Sequence, residues 1–168
     1  MNMFSSFYFS NMTQSKPKKS VTFQGTRFLL TYAQCSIPKD DLFAYLESLE
    51  GVHSVILAQE QHKDEGIHYH ACVRFTKRRE LGPRFFDFCG YHPSIEVVRN
   101  EIAMTQYILK DDVFPSFSTK AKESLAKTTK GKQMLMTHYL KQGHSPTDIF
   151  VEPSLMQGMF KSPHEIYT

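Results

Sequence analysis

The sequence predicts an α+β domain, an antiparallel sheet of ferredoxin-like or RRM-like topology with helices packed on one face. Three observations carry that expectation. Runs rich in apolar, β-branched and aromatic residues recur at 27–32, 52–61, 67–75 and 94–98, as short half-buried strands require. Residues 39–49 and 101–111 space their apolar side chains at helical intervals instead, which predicts two amphipathic helices. The polar tetrapeptide Lys63-Asp64-Glu65-Gly66 separates two of the strand-like runs and favours a hairpin. Strand, helix, strand, strand, strand, helix is the order of an antiparallel α+β layer.

Residues 1–22 have no periodicity and are expected to form a flexible extension. The first strand is Arg27-Phe28-Leu29-Leu30-Thr31-Tyr32. A helix should start near Ser36, with Ser36 available as a cap, Pro38 in the first turn, and Asp40 and Asp41 where the helix dipole favours acids. It should bury Leu42, Tyr45, Leu46 and Leu49, and Gly51 should end it. The second and third strands, Val52 to Gln61 and Ile67 to Phe75, lead to a basic cluster, Lys77-Arg78-Arg79, and then to Arg84-Phe85-Phe86-Asp87. Ser94 to Val98 is the fourth strand. In the helix that follows, Ile102, Met104, Thr105, Ile108 and Leu109 fall within an arc of roughly 160°, the buried stripe. Ala103, Gln106, Tyr107 and Lys110 occupy the other side. Beyond it, Phe114 to Ser118 is expected to be a linker and the lysine-rich stretch 120–132 a solvated linker or a DNA-binding arm, followed by a helix over 132–142 stopped by Gly143. Ser145-Pro146-Thr147-Asp148 should open one more helix. The domain is therefore placed at 23–115, with 116–168 as an appended helical segment.

Composition narrows the function classes. A chain of 168 residues, 40% apolar, is long enough to bury one proper core. A net charge of +3 and a pI near 8.7 permit a polyanionic partner without requiring one. Cys35, Cys72 and Cys89 have neither CxxC spacing nor an even count, which argues against a disulfide framework and for a reducing compartment. Cys72 and Cys89 are expected to be small buried apolar residues. No run approaches the roughly 18 apolar residues of a membrane-spanning helix. Lys16-Pro17-Lys18-Lys19 is a short basic run of the kind that directs nuclear import or merely solvates a linker.

The third strand holds the sharpest chemical signal. Side chains alternate along a strand, so His68 and His70 project from one face while Tyr69 and Ala71 face the core. Two imidazoles on a rigid strand form half of a divalent-metal site. If the hairpin closes, Glu60 returns beside them; His62 or Glu65 would be the substitutes. On the second helix, Tyr107 and Lys110 are neighbours on the side away from the core. They could be a nucleophile and a phosphate-holding cation, or a half-exposed tyrosine beside a solvated lysine.

Together these stretches resemble the replication-initiator (Rep) family of small circular single-stranded DNA viruses, whose nuclease domain is an HUH endonuclease. Phe28-Leu29-Leu30-Thr31-Tyr32-Ala33-Gln34-Cys35 is similar to that family's FLTYPxC strand, with Ala33 where proline is usual. His68-Tyr69-His70 matches its histidine–hydrophobe–histidine triplet, with Glu60 at the spacing of its acidic ligand. Tyr107-Ile108-Leu109-Lys110 matches YxxK. Arg84-Phe85-Phe86-Asp87 with His92-Pro93-Ser94-Ile95 is similar to the intervening stretch in plant-virus members. The resemblance covers about residues 26–112. It implies an HUH fold, Tyr107 as nucleophile, Lys110 as its phosphate-binding partner, and Mn²⁺ or Mg²⁺ held by Glu60, His68 and His70. It further implies nicking and joining of single-stranded DNA at a hairpin-loop origin through a 5′-phosphotyrosine, to start rolling-circle replication in a host nucleus. The isolated domain is expected to be a monomer. Phe28, Thr31, Tyr32, Arg74, Lys77, Arg78, Arg79 and Arg84 are the expected DNA-binding residues, through base stacking and phosphate contacts. The tail resembles the bridge to a superfamily 3 helicase, but no GxxxxGK[ST] loop occurs, so ATP hydrolysis is not expected of this chain.

Two other functions share much of this pattern. A non-catalytic module of the RNA-recognition type has the same sheet and helices, yet it calls for an aromatic run where His68-Tyr69-His70 stands. A transposon or plasmid tyrosine nuclease would use the same chemistry in another setting.

Overall fold

A computed structural model describes residues 21–62, 66–110, 112 and 114–145. The N-terminal extension with its basic run, the tip of the polar turn, and the helix expected to open at Ser145-Pro146 lie outside the described residues.

The elements run β1 (Phe23–Tyr32), α1 (Lys39–Ser48), β2 (Val52–His62), β3 (Gly66–Leu81), β4 (Ser94–Val97), α2 (Glu101–Ile108), β5 (Ser116–Phe117), α3 (Thr119–Ala126) and α4 (Thr129–Lys141). The strands pair antiparallel in one sheet of order β4-β1-β3-β2-β5. The expected α+β layer is present. The hairpin across the polar turn forms too, with His62 opposite Gly66.

Strand alternation sorts the apolar side chains into two cores, one on each face of the sheet. Phe28, Leu30, Tyr32, Val55, Leu57, Tyr69, Ala71, Val73 and Phe75 meet Leu42 and Leu46 of α1 and Phe86 of the loop before β4. Leu29, Ile56, Ala58 and Cys72 point the other way and meet Ile108, Leu125 and Leu135 of α2, α3 and α4. Each fully buried Leu or Phe contributes about 1.5–3 kcal/mol, and both faces of the central strands carry them. Helices on one face only was therefore the wrong expectation, because β1, β2 and β3 are apolar on both sides.

The expected linker 114–118 instead supplies β5, which extends the β2 edge by pairing Phe117 with Ile56 and Ser116 with Leu57. Ser118 Oγ accepts the Val55 N–H at 3.0 Å and also the Ala121 N–H, so one hydroxyl closes the sheet edge and caps α3. The lysine-rich stretch is helical, since Ala121, Leu125, Ala126 and Leu135 turn inward and let the lysines face out. The second core thus reaches past residue 115 into α4 through Leu135.

The α1 start also differs. No side chain caps it; Pro38 holds the N-cap position, while Ser36 Oγ lies 2.8 Å from the Tyr91 hydroxyl. Gly51, at φ +80, turns the chain from α1 into β2, a conformation that favours glycine. The third strand runs six residues past its expected end at Phe75, because 79–81 pair with Phe23–Gly25.

One close approach is testable. A Cβ on Gly131 would sit 2.1 Å from the Leu125 carbonyl oxygen, where the α3–α4 turn passes the first turn of α4. Gly131→Ala is expected to destabilise the domain by about 1–3 kcal/mol, read as a lower urea midpoint at unchanged slope.

Candidate active site

Register brings the histidine face together. β3 pairs His68 with Glu60 and His70 with Ala58 of β2, and β1 pairs Thr31 with His70. Thr31, Glu60, His68 and His70 therefore share the face turned toward α2. His70 is largely buried. Its Nε2–H donates to Glu60 Oε2 at 2.8 Å, and in the neutral ring Nδ1 accepts the Thr31 hydroxyl at 3.2 Å. The imidazole is held from two strands at once. Among the described residues no three His, Cys, Asp or Glu side chains converge on a single point; Glu60 and His70 meet each other directly.

The second helix places a phenol over this face. Asn100 caps α2 by accepting the Ala103 N–H, and Thr105 and Ile108 bury its inner side. Tyr107 and Lys110 are left outward, as the helical arc requires. Tyr107 is 49% exposed, and its ring meets His70 edge-on with centroids 5.8 Å apart. Lys110 Nζ stands 5.4 Å from the same ring centroid, within cation–π range. One end of α2 is fixed by Glu101, whose Oε2 accepts from Arg27 at 2.9 Å and lies 3.5 Å from Arg74 Nη1. Past the other end, Asp112 Oδ2 accepts the Gln59 N–H and a Lys39 ammonium proton, both at 2.7 Å. The chain leaving α2 is thereby tied to the β2 residue next to Glu60. A half-exposed phenol, a cation and a carboxylate–imidazole pair stand together on this frame.

Residues 21–119 match the geminivirus Rep catalytic domain. The chain belongs to that family. Its relatives include Replication-associated protein A of Bean yellow dwarf virus, 39% identical over 97 residues, covering 55% of this chain and 33% of that protein. Replication-associated protein A of Maize streak virus genotype D is 30% identical over 128 residues, covering 71% of this chain and 47% of that protein. The Replication-associated protein of Cabbage leaf curl virus is 31% identical over 106 residues, covering 55% and 30%. The chain spans less than half the length of these relatives.

Several residues of the Rep domain sit elsewhere than expected. Phe28 and Tyr32 were candidates for stacking on bases, but they are 0% and 1% exposed on the α1 face, opposite the histidines. The Tyr32 hydroxyl donates to the Phe86 carbonyl at 2.6 Å, and burial drives its pKa far up. Neither ring can offer a face to DNA. Tyr32→Phe is expected to lower stability by about 1–3 kcal/mol, because it strands a buried carbonyl, and to leave DNA affinity unchanged in a filter-binding titration. Arg74, expected on phosphate, is partly buried, with its guanidinium directed at Glu101 and Ser124. Thr31 is turned to His70 and acts on the imidazole.

Lys77, Arg78 and Arg79 lie at the far end of β3, about 25 Å from His70 at the rise of a strand. Arg79 rests over the Phe75 ring and Arg78 reaches Gln24. Arg84 is exposed and paired with Asp87 on the loop that covers the α1 face. None of these four touches the tyrosine.

Cys72, buried directly beneath α2, has its thiol pushed up to about 12 by burial first and the nearby Glu101 charge next. It stays protonated at neutral pH and is no rival nucleophile. Cys89, expected to be buried, is exposed; it occupies a left-handed turn position at φ +47. Glu101 and Asp112 were not singled out from the sequence. A lone acid at each end of a helix has no periodicity to mark it.

Proposed function

We propose that this Rep domain cuts and rejoins single-stranded DNA at a hairpin-loop origin, using Tyr107 as nucleophile, and so starts rolling-circle replication. The observation that carries the reading is the half-exposed Tyr107 ring lodged between the His70 imidazole and the Lys110 ammonium. A phenol so placed can reach a phosphodiester only if the strand is unpaired, since duplex pairing and stacking would keep the backbone from bending into the site.

In the cutting step Tyr107 Oη attacks the scissile phosphorus. A P–O bond to the tyrosine forms, the P–O3′ bond breaks, the phenol proton is given up, and the departing 3′-oxygen takes one. The fragment on the 3′ side of the cut stays on the enzyme through its 5′-phosphate, as a phosphotyrosine ester. Attack by a 3′-hydroxyl on that ester reverses every bond change and reseals the strand, so cutting and joining are one chemistry. Lys110 balances charge on the phosphate while His70 packs against the ring edge and limits where it can swing.

Glu60, His68 and His70 are one carboxylate and two imidazoles on one sheet face, a donor set that suits Mn²⁺ and, with water completing the shell, Mg²⁺. Seating an ion there would mean opening the His70–Glu60 hydrogen bond. When bound, such an ion supplies Lewis-acid neutralisation of a non-bridging phosphate oxygen.

The test is to incubate the purified chain with Mn²⁺ and a labelled oligonucleotide carrying an unpaired origin loop, and to separate the products under denaturing conditions. A covalent protein–DNA band together with a free 3′-hydroxyl fragment is the expected result. Binding with no adduct over a range of loop sequences would leave only a nucleic-acid-binding module.

A further inference from the structure

On the outer side of α2, next to Tyr107, a cleft of about 370 Å³ opens between α2 and α4. Its walls are Gln106, Leu109 and Lys110 from one helix and Lys130, Gln133, Met134, Thr137, His138 and Lys141 from the other. We infer that this cleft is a binding subsite for the sugar–phosphate backbone of the strand that Tyr107 cuts. The inference rests on the nuclease reading and adds a second place where the same strand is held.

Three features carry it. The first is charge. Lys110, Lys130 and Lys141 line the cleft, and among the described residues that form it none bears a carboxylate. His138 adds no positive charge at neutral pH, since burial lowers its pKa. The second is spacing. Lys130, Gln133, Thr137 and Lys141 form an exposed stripe along α4, and eleven residues of helix extend about 16 Å. That length meets more than one phosphate of a strand, whereas a lone anion would need one lysine. Between the lysines, the Gln106 and Gln133 amides offer hydrogen bonds to phosphate oxygens. Leu109 and Met134 offer apolar contact to sugars.

The third feature is continuity. Lys110 belongs both to the cleft and to the Tyr107 ring, with Nζ 5.4 Å from the centroid, and Gln106 precedes Tyr107 in the same turn. A strand whose phosphate reaches the tyrosine therefore meets the cleft with its neighbouring phosphates. An acidic protein segment would match the charge but would have no reason to share Lys110 with the nucleophile.

The test uses the full chain carrying Tyr107→Phe, so that binding is read without a covalent step. Affinity for a labelled single-stranded oligonucleotide is measured across a salt series, with and without Lys130→Ala plus Lys141→Ala. Each phosphate contact on single-stranded DNA adds about 0.7 to the salt slope. The double variant is expected to bind at least about ten-fold more weakly, with a slope reduced by about 1.4. Lys130→Arg with Lys141→Arg should keep most of both. The substituted positions are exposed, and an unchanged circular dichroism melt verifies the helix.

Wild-type affinity and slope in the double alanine variant would overturn the subsite. So would binding of a polyglutamate peptide that needs the two lysines while oligonucleotide binding does not, which would assign the cleft to an acidic protein partner. Absence of oligonucleotide binding altogether would overturn it as well. The nuclease reading fails separately: lysine-dependent binding without a covalent adduct from the Tyr107 form sinks that reading and leaves the subsite standing.

Discussion

Tyr107→Phe is expected to abolish the covalent DNA adduct and to reduce cutting by a factor on the order of 10⁴–10⁶, the scale seen when an enzyme loses its nucleophile. The substitution removes one oxygen and keeps the ring. The edge-on contact with His70 and the position of Lys110 over the ring face do not involve that oxygen, and Tyr107 is half-exposed, so folding and DNA affinity should hold within about two-fold. A denaturing gel on labelled oligonucleotide reads the adduct, and a salt-matched titration reads the affinity. Tyr32 and Tyr69 cannot substitute, because their hydroxyls are buried and donate to the Phe86 and Ile37 carbonyls. An adduct surviving in Tyr107→Phe would move the nucleophile to an exposed hydroxyl elsewhere and end the mechanism proposed for α2.

Chelation of divalent ions is expected to lower cutting by at least about 10²–10³-fold, the scale of one lost electrostatic stabiliser of a transition state. Added Mn²⁺ should restore it. Glu60→Gln should mimic chelation in protein that is still folded, because the amide keeps a hydrogen bond to His70 while losing the charge an ion needs. A readout apart from activity is thermal stability. An ion that binds only the folded domain stabilises it by about 2.7 kcal/mol at a hundred times its dissociation constant, which raises the melting temperature by several degrees in a chain of this size. Wild type should show that rise and Glu60→Gln should not. Equal stabilisation of the two proteins would place the ion elsewhere, whatever happened to cutting.

Periodicity and alternation made most of this legible. His68 and His70 with Tyr69 between them state which side of a strand is polar, and the structure puts Tyr69 in the core and the two rings on the other side. The arc of α2 likewise separates Tyr107 and Lys110 from Ile108 and Thr105. What escaped reading had no period to reveal it. β5 is two residues long, too short for alternation, and it exists because β2 has an open edge and Ser118 can close it. Phe28 and Tyr32 looked available because a strand's polar and aromatic residues give no sign of which face a later helix will cover; the α1 face closed over them. The lysines of 120–132 concealed a helix, since Ala121, Leu125 and Ala126 supply an inner face too small to stand out among charges. Asp112 works by one carboxylate oxygen on a backbone amide, a contact that depends on three elements meeting.

The Glu60–His70 contact makes the site self-neutralising. A carboxylate and an imidazole that satisfy one another leave neither polar group stranded when no ion is bound. An ion seated there would have to break this contact first. On the proposed metal reading, uptake of an ion would be an exchange of partners rather than the filling of an empty place.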